Sequence, residues 1–336
     1  MVWFKFVVCI LIIFFSGRKV ARYGNIIAEK TGLGEVWIGL ILLAIITSLP
    51  ELFNGVSAVV IVDSPDLTIG NLLGANAFNL LNLALLDISC RNSSLLAVAS
   101  RTHQLTTWFS LLMVLLVAIS VFISIRFPAL GIGWIGWYTP AIILGYLIFV
   151  RVIYFFEQRQ SFPQETGLKY EEENTGRTYL HFVMGGAIII GAGIWLAIIG
   201  DEIAIVYGWG ESFVGSLLLA FTTTLPEITI SFTAMRMGAK DMAIANMLGS
   251  NLFNMAIIPV DDLLYLKSPI LVAVSENHLI TAFVVLVMTL LFIAGLRFKP
   301  ERFLRVSWCS LALIGLFLIG AYFSFTQPGL GFLFQW

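Results

Sequence analysis

The chain is 336 residues long, 59% hydrophobic and only 12% charged, a balance that excludes a soluble globular domain. Its formal net charge of -1 gives no footprint for nucleic acid or any strongly charged partner. The surrounding medium that such a chain calls for is a lipid bilayer.

Apolar runs of about 17 to 25 residues, the length needed to cross a hydrocarbon core, fall near 2–17, 36–62, 67–87, 104–124, 132–156, 180–200, 212–235, 241–265, 277–295 and 304–324. The first is read as a span and not a cleaved signal, because no small-residue cleavage site follows it and Gly17 to Tyr23 is basic. Between the fifth and sixth runs lies the long polar segment Glu157 to Thr178. The expected organisation is therefore 1–156, a cytoplasmic linker over 157–178, and 179–336, with five spans in each half. With the amino terminus outside, all but three of the 19 lysines and arginines fall on the inner side, and only Lys5, Arg126 and Lys267 remain outside. The positive-inside rule then puts both termini outside and the linker in the cytoplasm. Compact loops point to a prokaryotic plasma membrane. Cys9, Cys90 and Cys309 read as apolar fillers, and His103, His181 and His278 as interfacial residues.

The segment Gly34 to Glu51, GEVWIGLILLAIITSLPE, returns 176 residues later as Gly210 to Glu227, GESFVGSLLLAFTTTLPE. Each copy places a glutamate inside an apolar run, and a charge within a membrane marks function by default. Five spans per copy is an odd number, so the second copy enters the membrane from the opposite side. The expected fold is all-α and polytopic: ten transmembrane helices in two inverted-topology five-helix repeats, a construction used by secondary transporters. In the second span Pro50 removes a backbone hydrogen bond and frees the Ile46 carbonyl where water is absent. Thr47 and Glu51, four residues apart, share a helix face. Thr223, Pro226 and Glu227 form the matching set.

The next span in each half carries a companion motif, Gly70 to Asn79 (GNLLGANAFN) and Ala245 to Asn254 (ANMLGSNLFN). The whole repeated motif thus covers 34–87 and 210–262. Gly70 with Gly74, and Ala245 with Gly249, are small-residue pairs that let helix backbones approach closely. Asn71, Ala75 and Asn79 share one face, as do Asn246, Ser250 and Asn254, and that face is the expected partner of the glutamates.

The pair TSLPE with GNLLGANAFN, and TTLPE with ANMLGSNLFN, resembles the two alpha repeats of the sodium/calcium exchanger family, the calcium:cation antiporter superfamily, in its prokaryotic type. The resemblance covers nearly the whole chain. It implies ten helices, alternating access by sliding of the first and sixth, and exchange of Ca²⁺ for Na⁺ or H⁺. By position it also implies cation ligation by Thr47, Glu51, Asn79, Thr223, Glu227, Ser250 and Asn254, with the backbones of Ala44 and Ala220. The chain departs from the family at Ile46 and Thr222, where glycine is usual, and at Ala75, where a serine often supplies a hydroxyl. Asn254 stands where some members carry aspartate.

Two ionised glutamates balance one Ca²⁺, and carboxylate, hydroxyl, amide and carbonyl oxygens are the donors that calcium prefers. Without a cation, two adjacent carboxylates in low dielectric take up protons or sodium. That is the physical basis of exchange, in which the transported ions are the ligands and no cofactor is needed. The alternatives are a cation channel, or a degenerate non-transporting scaffold of the same fold. An enzyme is not expected, since there is no HExxH and no catalytic pairing of aspartates. Asp63, Asp66, Asp201, Glu202 and Glu211 read as solvated caps, and Asp87, Asp261 and Asp262 as interfacial helix ends.

Overall fold

A computed structural model describes residues 2–90, 94–128, 130–160, 174–207, 214–298 and 306–326. The chain is helical almost throughout. In order the main helices are α1 (Val2–Thr31), α2 (Glu35–Val62), α3 (Pro65–Ser89), α4 (Arg101–Arg126), α5 (Tyr138–Gln160) and α6 (Thr175–Tyr207). There follow α7 in two arms (Val214–Leu219 running into Ala220–Thr223, then Leu225–Arg236), α8 (Lys240–Leu264), α9 (His278–Phe298) and α10 (Trp308–Thr326). Seven of the described helices are long and apolar enough to cross a membrane, and the two arms of α7, bent by 43°, qualify together. Every expected apolar run coincides with a helix, while residues 161–173 of the expected linker and 210–213 of the second motif lie outside the described residues.

The boundaries differ in two instructive places. The first run ends at Gly17, yet α1 continues to Thr31 and carries Arg18, Lys19, Arg22 and Lys30 along a helix instead of a loop. No strong helix breaker intervenes until Gly32, whose φ of 66° ends the helix in the left-handed region. The fifth run begins earlier than α5 because Gly131–Ile132 and Ile135–Gly136 pair as a small antiparallel hairpin about Gly133, with φ 65°.

The centre of the molecule is the pair α3 and α8, which are 89% and 83% buried, against 17% for α5 at the periphery. This order follows from composition: α3 and α8 carry the asparagines, and polar groups in a bilayer must find partners inside the protein. Close approach is built in. A Cβ at Gly249 of α8 would stand 2.2 Å from the Leu40 carbonyl oxygen of α2, and one at Gly39 would stand 2.6 Å from the Met242 carbonyl oxygen. The three cysteines are buried, and none is in a disulfide among the described residues.

The duplication is visible in the hydrogen bonds. Both copies open the motif helix with a π-turn, Ile38–Leu43 and Val214–Leu219. Asp87 accepts from the Leu95 amide and Asp262 from the Ile270 amide, each at 2.7 Å. His103 meets Asp241 and His278 meets Asp66, each at 2.8 Å. All these partners recur at a spacing of 175 or 176 residues. They also correct the expected interfacial roles. His103 and His278 are buried and held by the opposite copy's aspartate, and Asp87, Asp261 and Asp262 are fully buried. Asp262 accepts from the Gly136 and Ile270 amides, Tyr138 and Thr139, while Asp87 accepts from Ser94, Leu95, Ser307 and Ser310. Solvent is not needed to satisfy either carboxylate. Asp63, by contrast, is an exposed cap as expected, paired with Lys267, and this pairing holds the Lys267 ammonium pKa above its ordinary value.

Candidate cation site

The four repeated motif segments converge at the middle of α2, α3, α7 and α8. In α2, Pro50 lies inside the helix one residue before Glu51. In α7 the break comes at Thr224, so that Pro226 and Glu227 open the second arm. A carboxylate in a helix's first turn faces the positive end of the backbone dipole, which favours its charge. Glu51 and Glu227 are both fully buried and are close enough to interact electrostatically.

The two carboxylates are held differently. Glu227 Oε1 accepts from Ser48 at 3.0 Å and from Ser250 at 3.3 Å, while its Oε2 has no hydrogen-bond partner. Among the described residues neither oxygen of Glu51 has one. Thr223 is a neighbour of Glu51, but its hydroxyl is directed to the Leu219 carbonyl at 3.0 Å and to Asn71 Oδ1 at 3.2 Å. The residue equivalent to Ser250 in the first copy is Ala75, which has no hydroxyl, and the equivalent of Ser48 is Thr224, whose hydroxyl donates to the Ala220 carbonyl.

The asparagines form a reciprocal frame. Asn79 Nδ2 donates to Asn251 Oδ1 and Asn254 Nδ2 donates to Asn76 Oδ1, each at 3.0 Å. Exchange of the two copies maps one bond onto the other. Thr47 donates to Asn246 Oδ1 at 3.4 Å as Thr223 does to Asn71, and Thr47 also lies 3.3 Å from Ser250 Oγ. Asn246 is fixed in turn by donating to Ser231 at 3.0 Å. Because Asn79 and Asn254 use their amide nitrogens, their Oδ1 atoms remain without a partner. Among the described residues, five acceptor oxygens of these side chains are buried and unpaired, both of Glu51, Oε2 of Glu227, and the Oδ1 atoms of Asn79 and Asn254, as are the Nδ2 donors of Asn71 and Asn251.

The structure places the seven residues singled out from the sequence in two groups on α2, α3, α7 and α8: Thr47, Ser250 and Glu227 are linked by hydrogen bonds with Glu51 and Thr223 beside them, and Asn79 and Asn254 stand in the asparagine frame. It adds Ser48 as a direct support of Glu227, whose only sequence signal is its place beside Thr47 in the repeated motif. Among the described residues no cluster of three His, Cys, Asp or Glu side chains occurs. The oxygens here come from two carboxylates and from neutral groups, the mixed set that suits a hard cation.

Known proteins share this organisation. The chain is 23% identical over 256 residues to the inner membrane protein YrbG of Escherichia coli, covering 75% of this chain and 76% of that protein. It is 34% identical over 133 residues to sodium/potassium/calcium exchanger 1 of Gallus gallus, a match over 37% of this chain and 19% of the longer exchanger. The solved sodium-calcium exchanger NCX_Mj superposes with a TM-score of 0.72 at 20% identity, over 96% of this chain and 99% of that one, which shows a common fold. The model of the family described as sodium/calcium exchanger protein matches residues 1–156 and 178–326, and the chain belongs to that family.

Proposed function

We propose that this antiporter exchanges Ca²⁺ for Na⁺ or H⁺ by alternating access, with Glu51, Glu227, Thr47, Thr223, Asn79, Asn254 and Ser250 as the cation site. The observation that carries the reading is the set of five unpaired buried oxygens on the two repeated, proline-containing helices and their asparagine partners. An unpaired buried acceptor costs about 1–3 kcal/mol, and a bound cation is a partner that offsets this cost. Glu51 and Glu227 neutralise the two charges of Ca²⁺. Ser48 and Ser250 orient Glu227 by holding one of its oxygens and leaving the other for the ion. Without calcium, the same carboxylates take protons or sodium ions, which compensates the charge of the empty carrier.

In this reading the ten helices are two inverted five-helix repeats over 1–156 and 179–336, joined by a cytoplasmic 157–178 segment, with both termini outside a plasma membrane. Alternating access comes from movement of α1 and α6 as a unit. The two helices are tied by the Lys5–Glu202 ion pair at 2.9 Å and by stacking of Tyr23 on His181. Against the remainder they present glycines. Positions for a Cβ at Gly186 and Gly193 fall 3.2 Å and 2.3 Å from Ile46 and Pro50, and one at Gly17 falls 3.0 Å from Thr229. Smooth apolar contact of this kind suits shear.

The test is radiolabelled calcium uptake into proteoliposomes driven by an outward sodium gradient, an outward proton gradient or neither, with Glu51→Gln and Glu227→Gln as controls. Uptake that needs one gradient and is lost in both variants supports the exchanger and names its counter-ion. Gradient-independent uptake, or none, overturns it.

A further inference from the structure

One of the buried aspartates has an oxygen that no hydrogen bond satisfies and belongs to neither half of the glutamate site. Asp261 of α8 is fully buried. Its Oδ2 accepts from the Thr68 hydroxyl of α3 at 2.7 Å, and its Oδ1 has no hydrogen-bond partner among the described residues. Among the described residues no cation pairs with it. The other ionisable groups at this end of the molecule are committed elsewhere: Asp66 to His278, Asp63 to Lys267, and Asp262 to four donors.

Space for Asp261 is made by a glycine of the opposite half. A Cβ at Gly55 of α2 would stand 2.6 Å from both Asp261 Oδ2 and Thr68 Oγ1. Gly55 lies one turn past Glu51 on the same helix face, about 6 Å further along the axis. Asp261 likewise follows Asn254 by seven residues, two turns along the same face of α8. Three residues beyond Gly55, at Ala58, α2 changes to π winding, an irregularity found disproportionately at functional sites.

None of this is repeated. The equivalents of Asp261, Thr68 and Gly55 in the other copy are Leu86, Ala243 and Ser231, and Ser231 accepts a hydrogen bond from Asn246. The duplicated frame packs without a carboxylate at this level, so helix packing does not require Asp261. An ionised carboxylate in such a place needs a positive partner.

We propose that Asp261 and Thr68, set against the α2 backbone at Gly55, form a second cation site that takes one monovalent cation, a sodium ion or a proton, one helical turn beyond Glu51. As a counter-ion site it rests on the exchange reading above, with calcium in the central site and one of the opposing monovalent ions carried here.

The first experiment is independent of transport. Infrared difference spectra are recorded on the protein in lipid nanodiscs with sodium added against choline, and on raising the pH. The background is the Glu51→Gln/Glu227→Gln protein, which lacks the central carboxylates. The expected result is conversion of a carboxylic acid band to a carboxylate band, lost when Asp261→Asn is added and shifted by Gly55→Ala, which crowds the carboxylate without removing it. A response to sodium at constant pH assigns sodium, and a response to pH alone assigns the proton. No response to either, or a response unchanged by both further substitutions, overturns the proposal. The second experiment measures the reversal potential of exchange in the otherwise native protein. Asp261→Asn is expected to lower the number of monovalent ions moved per calcium by one, and an unchanged number overturns the counter-ion role. If the native protein moves no calcium, the exchange reading fails while the infrared result still decides whether Asp261 binds a cation.

Discussion

Replacing Glu51 by glutamine separates charge from shape at the centre of the molecule. The substitution keeps the side-chain volume and deletes no hydrogen bond, because neither Glu51 oxygen has a partner. The cation-free protein should therefore unfold within about 1 kcal/mol of the native one. Calcium binding should respond very differently. A unit charge pair 4 Å apart is worth about 4 kcal/mol at an effective dielectric of about 20, and a divalent ion doubles that. Desolvation of the ion and the carboxylate offsets most of the gain. If only a quarter survives, the loss is about 2 kcal/mol, or roughly thirtyfold in affinity. Equilibrium binding of radiolabelled calcium to protein in nanodiscs, alongside thermal unfolding of the same samples, reads both quantities. An affinity within about twofold of native would refute the placement of Glu51 on the ion. Collapse of the fold would refute the inference that Glu51 contributes nothing to packing through hydrogen bonds.

Ser250→Ala removes one of the two hydroxyls that hold Glu227 Oε1; hydrogen bonds to charged groups are worth about 1.5–3 kcal/mol, so calcium affinity in the same binding assay should fall by about tenfold or more. Gly249→Ala drives a Cβ toward the Leu40 carbonyl oxygen, 2.2 Å away, and should lower stability by about 1–3 kcal/mol by overpacking, read as a lower thermal midpoint in detergent. Asp262→Ala strands four donors at once and should cost about 3 kcal/mol or more, again by thermal unfolding. Acidification should weaken calcium uptake, since protons compete for Glu51 and Glu227, and the loss should be overcome by raising calcium; a loss that calcium does not reverse would place the sensitive group outside the ion site.

The glutamates were legible because each is a charge in an apolar run and because the run is repeated, so the two copies corroborate each other without any knowledge of which helices touch. The helix faces were legible for the same reason, from spacings of four within α3 and α8. What spacing does not reveal is partnership across helices. That Asn79 bonds to Asn251, and Asn254 to Asn76, depends on how α3 and α8 cross. The same holds for His103 with Asp241, whose partners are 138 residues apart. A signal for the histidines was present nonetheless: His103 and His278 stand 175 residues apart, as do Asp66 and Asp241. Two residue types that both obey the repeat are candidates for pairing. The ends of α1 and α5 were misjudged because apolarity marks where a helix meets lipid, and backbone breakers such as Gly32 and Gly133 mark where it stops.

The functional asymmetry of the molecule follows from the positions at which the repeat fails. A duplicated frame gives two equivalent carboxylates, and equivalence alone would make the two halves of the site indistinguishable to an ion. Ala75 stands opposite Ser250, one of the two hydroxyls that hold Glu227, and Thr224, opposite Ser48, turns its hydroxyl to the Ala220 carbonyl, so Glu51 lacks both supports. Asp261 opposite Leu86 adds a carboxylate on the Glu51 side only, one turn away. Both departures act in one direction: they lower the oxygen count beside Glu51 in the central site and raise the negative charge just beyond it. In the proposed site a calcium ion between the glutamates should accordingly be held more firmly from the α7–α8 side. In the same reading a monovalent ion at Asp261 lies one turn along α2 from Glu51. Restoring the hydroxyl with Ala75→Ser should therefore change the two ions unequally, strengthening calcium binding at the centre while leaving the Asp261 infrared band where it was. Equal shifts in both would show that the two positions form one site.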